Sequence, residues 1–182
     1  MAQVEPERIM AELWPARRSA GEQVFAVLDG ARDARILPAL QQATVGHVCL
    51  YRGELARTLS DVAPYLVALE PQHAFTRWLL THGWGESWGI FAVSQAPLAD
   101  LRRHFRKFLM VYDETGKPLY FRFYDPRVLR IFLPTCNADQ LQSLFGSMLR
   151  YIVEDENANA LIVYSCPDRR LGVRTVDLRS AA

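Results

Sequence analysis

YLVALEPQHAFTRWLLTHGWGESWGIFAV, residues 65–93, passes from an apolar run to a helical stretch and back to an apolar run. Tyr65 to Leu69 follows Pro64 and stops before Pro71, so it reads as a short buried strand. Over residues 73–82, Phe75, Trp78 and Leu79 recur at helical spacing, and Gly83 is placed to end that helix. A glycine- and tryptophan-rich loop then leads into WGIFAV, residues 88–93, a second strand. A strand, a helix that is apolar on one side and another strand within thirty residues predict helices packed on a sheet.

The same reading extends in both directions. Upstream, apolar residues at helical spacing over 5–14 stop at Pro15, QVFAVLD (23–29) is a strand closed by Gly30, residues 32–43 form a helix, and residues 45–51 form a strand. Residues 52–62 are polar and carry no clear period. Downstream, residues 97–107 form a helix opening on proline, and residues 108–112 and 119–124 form two strands across the turn DETGKP. Short helices follow over 126–133 and 138–145, the second capped by Asn137, and 151–153 and 161–164 pair across EDENANA. Early alternation of strand with helix, followed by hairpins, predicts an α/β (α+β) fold: a mixed β-sheet flanked by helices on both faces, with a small C-terminal helical/hairpin subdomain. The boundary falls near Gly146, giving a main body over 1–146 and a short C-terminal subdomain or tail over 147–182, whose basic end from Asp168 is expected to fray. Phe91, Val93, Leu109, Val111, Phe121 and Phe123 are expected in the core, and Trp88 with them as the opening residue of its strand.

The chain has 182 residues, half of them hydrophobic, which suits one domain with a proper core. Its formal net charge of +1 provides no global attraction for nucleic acid or an acidic membrane. The three cysteines, Cys49, Cys136 and Cys166, are scattered and form no Cys-x-x-Cys pair, as suits a reducing compartment. The first residues contain Glu5, Glu7 and Glu12 and no long apolar run, and no apolar stretch reaches the ~18 residues of a membrane span. A cytoplasmic location without membrane insertion is the expectation.

Neither a metal site nor a cofactor is expected. The four histidines, His47, His73, His82 and His104, form no His-x-x-x-His pair. Gly-Glu-Ser-Trp-Gly around Ser87 superficially matches the nucleophile elbow, but that motif needs a strand before the serine and a helix after it, and here the order is helix, loop, strand. A small cytoplasmic hydrolase using this loop is therefore the alternative reading. LADLRRHFRKF, 98–108, is apolar on one side and basic on the other, which describes a solvated amphipathic helix better than a nucleic-acid motif. In LYFRFYDPRVL, 119–129, Asp125 before Pro126 is placed to cap the following helix, with Arg122 and Arg127 on either side. The exposed tryptophan and arginine types in these two tracts are those that dominate binding hot spots.

The order of these pieces resembles a known family. A Tyr-Leu-Val strand is followed by WLLTHGWGESWGIF, LADLRRHFRKFLMV, a short turn, FRFYDPRVLRIFLP and a helix ending in LQSLFG. This resembles the bacterial "domain of unknown function" family of type VI secretion effector adaptors (Tap/TEC adaptor-chaperones) over roughly residues 23–146. Arg-Phe-Tyr-Asp-Pro-Arg, 122–127, is the most specific piece. The resemblance implies a non-enzymatic chaperone that holds a toxin effector, often near its PAAR or Rhs region, and loads it onto the VgrG spike. Trp84, Arg122, Tyr124, Asp125 and Arg127 are the expected protein-binding residues. Longer relatives carry an added C-terminal domain where this sequence has only 147–182.

Overall fold

The computed structural model describes residues 4–179. Its elements, in order, are α1 (Pro6–Leu13), β1 (Gln23–Asp29), α2 (Ile36–Gln42), β2 (His47–Cys49), α3 (Gly53–Thr58), β3 (Pro64–Leu69), α4 (Ala74–Gly83), β4 (Gly89–Ser94) and α5 (Leu98–Arg106). There follow β5 (Met110–Tyr112), β6 (Pro118–Tyr120), α6 (Pro126–Phe132), α7 (Ala138–Phe145), β7 (Met148–Glu154), β8 (Ala160–Ser165) and β9 (Gly172–Asp177). The chain is an α/β protein built on a seven-stranded sheet in the order β2-β3-β1-β4-β7-β8-β9.

Each strand pair in that sheet is antiparallel, where alternation of strand and helix had suggested a mixed sheet. The reason lies in the connection through α4. β3 and β4 run the same way, but each pairs with opposite edges of β1, so the strand–helix–strand unit straddles β1 without joining neighbours. β7, β8 and β9 continue the sheet from β4, so residues after Gly146 belong to the same sheet as the first strands. The tail expected to fray instead supplies β9, paired with β8 along its whole length.

Strand alternation sends side chains to two apolar layers. Val24, Ala26 and Leu28 of β1 meet Ile9 and Leu13 of α1, Ile36 and Leu40 of α2, and Phe75 and Leu79 of α4. Phe25 and Val27 face the other way, onto Leu101 and Phe105 of α5, Leu129 of α6 and Leu141, Leu144 and Phe145 of α7. The helices thus cover both faces, as the sequence predicted.

The hairpin departs most from expectation. The second strand stops at Tyr120, and β5 and β6 form a ribbon separate from the main sheet. Of the six expected core residues, Phe91, Val93 and Phe123 are buried, Leu109 and Phe121 are half-buried, and Val111 is exposed. Trp88 is buried, as expected.

Candidate functional site

One end of the sheet gathers the two tracts singled out in the sequence. β1 ends at Asp29 opposite Pro64, the first residue of β3, and the pair before it is Leu28 with Gly89, the first residue of β4. Phe91 pairs with Ile152, so Glu154 closes β7 at the same end. The loop 84–88 and the N-terminus of α6 both arrive here.

The loop is held by a buried acid. Glu154 is 6 % exposed and accepts from the amide of Gly85 at 2.6 Å, the amide of Ser87 at 2.9 Å and the hydroxyl of Ser87 at 3.2 Å. Burial pushes its carboxyl above the ordinary range, against the pull of those bonds. Glycine is needed at 85, where φ is +87°. The amides of Gly85 and Ser87 are thus occupied by the chain's own carboxylate. Ser87 donates to that carboxylate, and the Nδ1 of His82 lies 2.9 Å from the carbonyl oxygen of Trp78. Gly83 lies inside α4 and does not follow it as a cap; a Cβ there would come within 2.7 Å of the Trp88 ring, so this glycine lets α4 pack on Trp88.

The Arg122–Arg127 corner is a second buried polar cluster. Asp125 is 3 % exposed, caps α6 by accepting from the amide of Arg127 at 2.9 Å, and receives that residue's guanidinium at 2.9 and 2.6 Å. Burial pushes the Asp125 carboxyl up, but the Arg127 hydrogen bonds outweigh it and hold the group below its ordinary value. Asp29 fares differently. It is 1 % exposed, its Oδ1 accepts from the amide of Ala31, and its Oδ2 has no hydrogen-bond partner. Arg122 Nη1 stands 3.6 Å from that oxygen, close enough for charge attraction and too far for a hydrogen bond. Burial therefore prevails and raises the Asp29 carboxyl. The Tyr124 hydroxyl is pushed up by the same burial and by the Asp29 charge.

Arginines close the region. Arg32 donates to the carbonyl of Glu86 at 3.1 Å, Arg130 to the carbonyl of Glu154 at 2.6 Å, and Arg35 lies over the Trp88 ring at 5.3 Å. Two clefts flank the loop. One, of about 1000 Å³, runs past Trp84, Arg77, His82 and Asn157; the other, of about 780 Å³, past Arg127, Arg130, Ile131 and Tyr164.

The five expected binding residues divide by exposure. Arg122 and Arg127 turn more than half of their side chains to solvent. Tyr124 and Asp125 are buried and shape the corner without facing a partner. Trp84 is half-buried, its indole donates to the carbonyl of Ala158 at 2.9 Å, and its ring stacks on Phe91, so much of it ties the loop to the β7–β8 turn. The reading of the sequence missed Glu154 and Asp29. Each ends an apolar strand, and nothing in the adjacent residues marks either as buried. Among the described residues, no group of three or more His, Cys, Asp or Glu side chains gathers to hold a metal.

The family described as Domain of unknown function (DUF4123) matches residues 24–143. The chain belongs to that family. The match spans β1 through most of α7 and includes both tracts that meet at the sheet end. No curated protein and no solved structure matches the chain significantly. In this DUF4123 protein, no helix among the described residues is long and apolar enough to cross a membrane.

Proposed function

We propose that this DUF4123 protein is a non-enzymatic adaptor-chaperone that binds a type VI toxin effector in the cytoplasm and loads it onto the VgrG spike. The supporting observation is that the two most specific pieces of the adaptor resemblance, 82–89 and 122–127, fold into a single corner. Buried carboxylates fix its backbone, and Arg122 and Arg127 point outward from it. Rigid backbone with outward arginine suits recognition, because little ordering entropy is lost on binding.

The test is co-purification of the full chain with the toxin and with VgrG from its own cell, each separately, at low and high salt. Binding to both, modestly weakened by salt, is expected of an interface with an apolar centre. Binding to the toxin alone would retain the chaperone role and remove the spike contact. Esterase turnover by the purified chain that vanishes in Ser87→Ala would overturn the adaptor reading in favour of a hydrolase.

A further inference from the structure

β9 is the last strand of the sheet, and the phase of its hydrogen bonds fixes which backbone groups it leaves open. Just past the strand, and in its register with β8, Leu178 donates its amide to the carbonyl of Asn159 at 2.8 Å. Bonded and non-bonded residues alternate along an antiparallel pair. Val176, Arg174 and Gly172 therefore turn their amides and carbonyls to β8, and Val173, Thr175 and Asp177 turn theirs away from the sheet. The next ladder agrees. The amide of Asp155 donates to Ala160 at 3.0 Å, which points Ala160 to β7 and, by alternation, Leu161 and Val163 to β9, where they pair with Val176 and Arg174. Among the described residues, the outward backbone groups of Val173, Thr175 and Asp177 find no partner. The opposite edge is guarded. β2 is three residues long, and its outer carbonyl at Cys49 accepts from Arg106 of α5 at 3.0 Å. β9 lacks such guards: it runs six residues without proline or a break in register, and Val173, Thr175 and Val176 are β-branched.

An open edge of this kind takes an extended strand, and β9 is complementary to itself. Laid antiparallel to a second copy with Thr175 on the twofold axis, it sets Thr175 opposite Thr175, Val173 opposite Asp177 and Arg174 opposite Val176. That register pairs every outward amide and carbonyl from Val173 to Asp177 in both copies. It opposes no like charges, and a threonine pair is a favourable cross-strand neighbour. The charge of Arg174 is already met by Glu12 at 2.9 Å, and that of Asp177 by Arg179. Neighbouring registers fail. An axis at Arg174 or at Asp177 sets a charge against itself, and an axis at Val173 or Val176 runs part of one strand past the end of the other and leaves outward groups unpaired. We infer that β9 pairs with β9 of a second copy of this chain, joining two sheets across a twofold axis. The inference stands apart from the adaptor reading.

The experiment is sedimentation equilibrium of the full chain over a range of concentrations, with amide exchange read residue by residue at both ends of the range. The mass should rise from that of one chain towards that of two. The amides of Val173, Thr175 and Asp177 should slow as it does, while those of Arg174 and Val176, bonded to β8, stay slow throughout. Thr175→Pro removes an outward amide without touching the β8 ladder, so it should keep the wild-type melt and weaken the dimer at least about tenfold. Thr175→Lys should weaken it as much, because it sets like charges opposite each other on the axis. Val173→Lys faces Asp177 of the second copy and should dimerise within about twofold of wild type or more tightly. A chain that remains monomeric at about millimolar concentration would overturn the proposal. So would a dimer that both Thr175 variants leave unchanged, because it must form elsewhere. A monomer whose outward β9 amides slow only when the toxin or VgrG is added would give the edge to a strand of that protein and overturn the second copy as occupant. None of these results removes the adaptor reading, which fails only if the chain binds neither protein.

Discussion

Asp125 and Asp29 are both almost wholly buried carboxylates, but Arg127 hydrogen-bonds one while Arg122 only approaches the other. Asp125→Ala removes a helix cap and should cost about 0.5–2 kcal/mol. Arg127→Ala should also cost about 1 kcal/mol, discounted for its half-exposed side chain, because it leaves the Asp125 carboxylate without its guanidinium. A chemical denaturation series reads both, and a neutral Arg127→Ala would assign that arginine to recognition alone. Folding raises the Asp29 carboxyl above its unfolded value, so its contribution to stability is full at acidic pH and is lost as pH rises through the raised value. Asp29→Asn should therefore gain stability relative to wild type as pH climbs from the ordinary carboxylate range towards neutrality; a difference that stays flat with pH would contradict the burial account. The cap at Asp125 could be read from Asp-Pro in the sequence. The orphaned Oδ2 of Asp29 could not, because a strand-ending aspartate looks the same whether it meets water or the interior.

At the scale of elements, most helices and strands follow directly from apolar spacing, and Asn137 caps α7 as the sequence suggested, with Gln140 completing a capping box the sequence reading did not name. The ribbon misled for a physical reason. Strict alternation over 119–124 describes a strand, but β6 ends at Tyr120, the chain turns over 122–125, where the Asp125 amide donates to the Arg122 carbonyl at 3.0 Å, and Phe123 and Tyr124 enter the core with α5 and α6. Tertiary packing outweighs local pattern at this point. The loop 84–88 owes its shape to Glu154, an element away, so its local glycines disclose a turn and not what fills it. Glu154→Ala removes the acceptor for two amides and a hydroxyl and should cost about 1–3 kcal/mol. Hydrogen exchange should quicken at Gly85 and Ser87 in that variant, while amides in the middle of β1 stay protected; unchanged exchange at Gly85 would show that the carboxylate does not hold the loop.

Across the whole molecule, one sheet runs from β2 to β9, and the three strands after Gly146 are part of it. A chain cut after Gly146 would lose β7 and expose the edge of β4 together with Phe91, Ile90 and Ala92. Such a fragment is expected to aggregate and to lack a cooperative melt; a soluble fragment with a sharp transition would restore a boundary at that point. The α/β class was legible because it depends on the order of apolar runs, and the family because specific tracts, Arg122 to Arg127 above all, resemble it in order. The pairing sense was not, because the sequence does not say that α4 carries the chain across β1. The central claim is that this chain delivers one toxin. Its most direct measurement is killing of a susceptible competitor by the parent strain, by a strain lacking this chain, and by the same strain with the chain restored, scored toxin by toxin. The account predicts that one toxin's delivery is lost and regained while the others continue; unimpaired delivery of all toxins in the deletion strain would contradict it.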